Sequence, residues 1–103
     1  MHLVQILVPV YDNAGQPFGR ELFGSVRSRL IERFGGVTAF VQSPALGLWK
    51  DPHSEATRRD EMILIEVMVQ RFERAWWTAY RRELEHAFRQ DEIVVRVLGF
   101  ERI

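Results

Sequence analysis

The apolar positions change period four times along the chain, and each change marks an element boundary. Leu3 to Val10 is a nearly continuous apolar run, β-branched at every second position, which predicts a central strand covered on both faces. YDNAGQP follows, and its Asp, Asn, Gly and Pro are turn formers. From about Arg20 to Phe34 the period becomes helical, with Phe23, Val26, Leu30 and Phe34 on one stripe. Gly35-Gly36 closes that helix, because glycine accepts the left-handed geometry of a helix end. Val37 to Gln42 reads as a second strand. Ser43 to Asp60 reads as an extended hairpin, broken at Pro44 and resuming near Gly47 to Lys50. Glu61 to Val69 is a third, almost wholly apolar strand. Arg71 to Gln90 is a second helix, with Phe72, Trp76, Ala79, Tyr80, Leu84, Ala87 and Phe88 three and four apart. Glu92 to Phe100 is the last strand.

The order β-α-β-β-α-β, joined by right-handed crossovers, predicts an α+β ferredoxin-like sandwich: a four-stranded antiparallel sheet in order 4-1-3-2. Both helices then lie on one face. Alternate strand residues point to opposite faces. Val4, Ile6, Val8, Val37, Ala39, Val41, Ile63, Ile65, Val67, Ile93, Val95 and Val97 form a set without polar side chains, suited to packing under the helices. The other set, from Leu3 and Leu7 to Met62, Leu64, Met68, Val94 and Leu98, is still mostly apolar but holds Gln5, Glu66 and Arg96. Two helices leave that second face open, and an apolar patch of this kind marks a partner or ligand surface. A homodimer formed by packing two such faces together is the leading expectation.

On adjacent strands, Arg96, Gln5 and Glu66 form a row if their registers agree. Two readings stand side by side. The row is a hydrogen-bonded strip that fixes dimer register, or Glu66 is a general base and Arg96 holds an anion beside a cavity. In Trp76-Trp77, Trp76 lies on the helix stripe and reads as core, leaving Trp77 about 100° away at the helix edge. Trp49-Lys50 falls on the hairpin tip, where Lys50 would contact an anion. Tyr11, Asp12 and Asn13 read as ordinary turn chemistry. The arginines and glutamates of the second helix read as a solvated, self-paired face.

Composition narrows the chemistry. The chain has 103 residues, one domain's length, with 47% hydrophobic and 27% charged residues. Fourteen basic and fourteen acidic residues cancel, so no general field favours nucleic acid or anionic membrane. With no cysteine, thiolate catalysis, disulfides and Cys-based metal sites are excluded, and a cytoplasmic location fits. The start lacks the basic region and cleavage site of a signal peptide, and no apolar run nears the roughly 20 residues that span a bilayer. His2, His53 and His86 lack metal-ligand spacing. There is no GxSxG, Walker or GxGxxG motif. No cofactor is expected.

FGGVTAF, PALGLWKD, DEMILIEVMV, RAWWTAYRRELE and FRQDEIVVR together resemble an uncharacterised family of short bacterial proteins, over most of the chain. The layout also resembles the dimeric α+β barrel superfamily. That resemblance implies a fold shared by cofactor-free monooxygenases, isomerases, haem-degrading enzymes and stress-responsive proteins, and leaves function open. The haem-ligating His of some members has no match here. The reading that follows is a non-enzymatic homodimeric domain binding a small ligand or protein partner. The alternative is a small cofactor-independent enzyme with its cavity between sheet and helices, Glu66 as acid/base, Gln5, Arg96 or Lys50 holding the ligand, and Trp49 or Tyr80 shaping the pocket.

Overall fold

A run of apolar strand residues pairs best where both neighbours are also strands, and β1 (His2–Pro9) takes that place. The computed structural model describes residues 1–36, 38–42 and 61–103, the second of these by its backbone alone. In chain order it contains β1, α1 (Arg20–Phe34), β2 (Thr38–Gln42), β3 (Met62–Val69), α2 (Arg74–Ala87) and β4 (Val94–Gly99). β1 pairs antiparallel with β3 along one side and with β4 along the other.

The described strands form one antiparallel sheet in the order β2-β3-β1-β4. Its three strands β3, β1 and β4 carry the described core, with two helices against one face. Beyond them, Thr38–Gln42 contributes a backbone ladder along β3, from Thr38 opposite Glu66 to Gln42 opposite Met62. The ferredoxin-like assignment also drew on an extended hairpin over residues 43–60, which lies outside the described residues. So do the side chains of Val37, Ala39 and Val41, which were assigned to the covered face.

The covered face follows from the strand alternation. Val4, Ile6 and Val8 of β1 have no exposed surface, and Ile65 and Val67 of β3 are buried with them. Ile93 precedes β4 and is also buried, while Val95 and Val97 pack against the same cluster. From the helices come Val26 and Leu30 of α1, then Trp77, Tyr80 and Leu84 of α2, with Phe88 just past its end. At about 25 cal/mol per Å² of apolar surface removed from water, this cluster is the main stabilising term of the fold. α1 ends where expected: Gly35 adopts φ 82°, and its N–H donates to the Ile31 carbonyl at 2.7 Å.

The second helix needs two corrections. It starts at Arg74, not Arg71, and its buried stripe is Trp77, Tyr80, Leu84 and Phe88. Trp77 is therefore the core tryptophan and Trp76 the half-buried one, the reverse of the sequence assignment; Ala79 and Ala87 face outward. The cause lies in α1. Phe34 lies flat on Trp77, with ring centroids 5.1 Å apart at 8°, and meets Trp76 edge-on at 89°. Stacking on Phe34 draws Trp77 inward and rotates Trp76 to the seam between the helices. There the guanidinium groups of Arg29 and Arg33 lie 5.8 Å and 5.3 Å from its ring. The Trp77 indole N–H is buried with no hydrogen-bond partner among the described residues.

Candidate functional site

Three polar side chains stand in one row across the face away from the helices. Gln5 on β1 lies opposite Glu66 on β3 and opposite Arg96 on β4. The strand period of two puts them on one face, since each alternates with residues of the buried cluster. The antiparallel register then brings them level. Gln5 Nε2 donates to Glu66 Oε2 at 2.8 Å, and Arg96 Nε donates to Gln5 Oε1 at 2.6 Å. The amide's two ends thus meet a carboxylate acceptor and a guanidinium donor, which fixes its orientation. Gln5 and Glu66 are half-buried, while Arg96 is exposed. The row is a relay of charge-assisted hydrogen bonds that uses both polar ends of the central amide.

Apolar residues flank this row above and below. Leu3 lies between Met68 and Leu98, and Leu7 between Leu64 and Val94. Met68, Leu98 and Val94 are 56%, 46% and 43% exposed, whereas Leu64 on the same face is buried at 7%. Neither α1 nor α2 sits on this side of the sheet.

Tyr80 does not belong to this site. It is buried on the helix side, stacked on Trp76 at 5.1 Å, with the sheet between it and Glu66. Desolvation pushes its phenol up from the usual 10.0 to about 12, against a smaller opposing effect of Arg29. The enzyme alternative placed Glu66 in a cavity between sheet and helices, with Tyr80 shaping it. The alternation forbids that, since Glu66 follows Ile65 and precedes Val67, both in the helix-side core. Trp49 and Lys50 lie outside the described residues and are not brought to the row or anywhere else.

A groove of about 320 Å³, sharing Leu7 and Val94 with the face away from the helices, is also lined by Met62, Asp12, Asn13, Gln90 and Glu92. Pattern reading missed it because its walls come from two connections far apart in sequence. Its rim is held by turn chemistry. Asp12 Oδ1 accepts from the Ala14 and Gln16 N–H groups at 2.9 Å and 2.8 Å, which matches the turn reading of that segment. Asn13 Nδ2 donates to the Arg89 carbonyl at 3.3 Å, tying the turn to the end of α2. With Asp12 and Glu92 at its rim, the groove favours a neutral or cationic molecule over an anion. Gln5, Glu66, Arg96 and Tyr80 do not line it.

Among the described residues, no group of three or more His, Asp or Glu side chains is placed to hold a metal ion. None of the described helices is long and apolar enough to cross a membrane. Comparison with family models, curated proteins and solved structures finds no match to this chain. The resemblance to short bacterial proteins and to dimeric α+β barrels therefore assigns no role to any residue. What the geometry defines is a small α+β fold with one sheet face covered by the two helices and one face that neither helix covers, among the described residues.

Proposed function

We propose that this chain is an assembly domain that forms a homodimer through its uncovered sheet face, with Arg96, Gln5 and Glu66 as a structural strip at the interface. The observation that carries the reading is the pairing of exposure with pattern: Met68, Val94 and Leu98 stand 43–56% exposed on both sides of a pre-ordered polar row. Isolated exposed apolar residues are ordinary on protein surfaces. A contiguous set on a flat sheet face is an interaction surface. The row supports a structural role over a catalytic one. A general base must present a carboxylate within reach of a substrate proton in a pocket, and Glu66 lies on an open face with its carboxylate engaged by Gln5.

Sedimentation equilibrium at micromolar concentration tests this. The expected mass is twice the 12.1 kDa of the chain. The double variant Met68→Lys/Leu98→Lys should sediment as a folded monomer, because each lysine would have to enter the interface unpaired. A wild-type protein that stays at the single-chain mass overturns the reading.

A further inference from the structure

The uncovered face carries more than an apolar surface; it carries a charge pattern with a direction. Three rows cross β4, β1 and β3. From β4 through β1 to β3 they read Leu98–Leu3–Met68, Arg96–Gln5–Glu66 and Val94–Leu7–Leu64. The outer rows are apolar throughout. The middle row runs from positive through neutral to negative.

Two identical sheets packed face to face are related by a two-fold axis lying in the plane between them. That axis has few choices. If it runs across the strands, along the middle row, Arg96 meets the partner's Arg96 and Glu66 meets the partner's Glu66. If it is oblique, each charge lands on an apolar row. If it runs along the strands but over β3, Glu66 meets itself and Arg96 meets no carboxylate of the row. An axis midway between β1 and β3 sets Gln5 over the partner's Glu66 and β4 over the partner's β2, so it pairs no opposite charges of the row. The placement that does lies along β1. An axis along β1, passing over Gln5, reverses the middle row onto itself and leaves each apolar row on its own copy.

We propose that the partner is a second copy of this chain, related by a two-fold axis along β1, so that each Arg96 pairs with the partner's Glu66. This rests on the homodimer reading and adds its geometry. Packed sheets lie about 10 Å apart, a gap that an arginine and a glutamate reaching from opposite sides can close. Arg96 is suited to this. Its Nε is held by Gln5 at 2.6 Å, a bond that does not use the donors of the terminal guanidinium nitrogens. Among the described residues no carboxylate lies within ion-pair distance of it. Glu66 gives one oxygen to Gln5, and its other oxygen is there to accept from an incoming arginine. Gln5 thus pre-orders both charges before the subunits meet, and each subunit supplies a counter-ion that the described residues of the other do not.

The chain has no cysteine, so a single introduced one is unique. Leu3→Cys and Leu7→Cys proteins would be treated separately, and then mixed, with a bis-maleimide spanning about 10 Å. An axis along β1 brings each position to its own copy, so both single variants should give covalent dimers. An axis across the strands brings Leu3 to the partner's Leu7. Single variants would then stay uncoupled, only the mixture would couple, and the proposed geometry would fall while the dimer stood. A second arm reads charge. Arg96→Glu and Glu66→Arg proteins should each dimerise about tenfold or more weakly at low salt, and an equimolar mixture should recover the wild-type affinity. Wild-type affinity in both single variants overturns the pairing. A single-chain mass for the unmodified protein overturns the homodimer reading itself.

Discussion

The two faces of β1 are built from adjacent residues and do different work. On one side Val4, Ile6 and Val8 vanish under two helices; on the other Leu3, Gln5 and Leu7 stay partly open. The covered face is held by shape. Its residues are aliphatic or aromatic, mostly Val and Ile on the strands, and no polar or charged side chain is buried among those described. The open face is held by direction, because its central hydrogen bonds specify which strand meets which. Apolar burial supplies most of the free energy of folding and forbids a one-residue slip, which would turn the apolar set outward. The polar row contributes less and discriminates against a two-residue slip, which keeps the faces but sets charged groups opposite apolar ones.

Substitutions at neighbouring positions should separate these roles. The largest effect is expected on the covered side. Ile6→Ala removes a fully buried side chain at the middle of the sheet and should cost about 2–5 kcal/mol in urea unfolding. A loss below 1 kcal/mol would mean that the helix-side core is loosely packed. Next is alkaline pH. The folded protein holds the Tyr80 proton to about 12, while the unfolded chain releases it near 10.0. Stability from this residue is therefore complete below pH 10 and is lost as pH rises from 10 to 12. The change is roughly 2–3 kcal/mol over that window, and Tyr80→Phe should flatten it. Unfolding midpoints taken at stepped pH, with wild type and variant side by side, would show the slope or its absence. The smallest effect is expected on the open side. Gln5→Ala deletes two hydrogen bonds at a half-exposed position and should cost about 1–2 kcal/mol, less than half the loss at Ile6. Equal losses at Gln5 and Ile6 would erase the contrast between the faces.

Surface ion pairs do not enter that contrast. Arg33 and Glu73 join the two helices at 2.6 Å, but both are about half exposed. Such pairs contribute on the order of 0–1 kcal/mol and are screened by salt. Between the helices, the Phe34 ring packs on both Trp76 and Trp77 with centroids 5.1 Å apart.

How much was legible in the pattern can be traced residue by residue. Strand faces were legible, because a period of two assigns Gln5, Glu66 and Arg96 to one side whatever the strands pair with. The α1 stripe and its glycine stop were legible for the same local reason, as was the turn at Asp12. The phase of α2 was not. Stepping back four residues from Tyr80 reaches Trp76, stepping back three reaches Trp77, and both are helical neighbours. Phe34, forty-three positions away from Trp77, made the choice by stacking on it. The expected hairpin over residues 43–60 lies outside the described residues.

Alone, then, the chain determined which side chains share a face, where α1 stops, and which chemistries its residue types exclude. Those are properties of one residue and its near neighbours. Only the tertiary structure decided that Gln5 stands level with both Glu66 and Arg96, that Tyr80 lies across the sheet from them, and that Trp77 fills the core in place of Trp76. Each of those depends on the register and rotation of elements remote in sequence. Pairing free energy, not local preference, sets both.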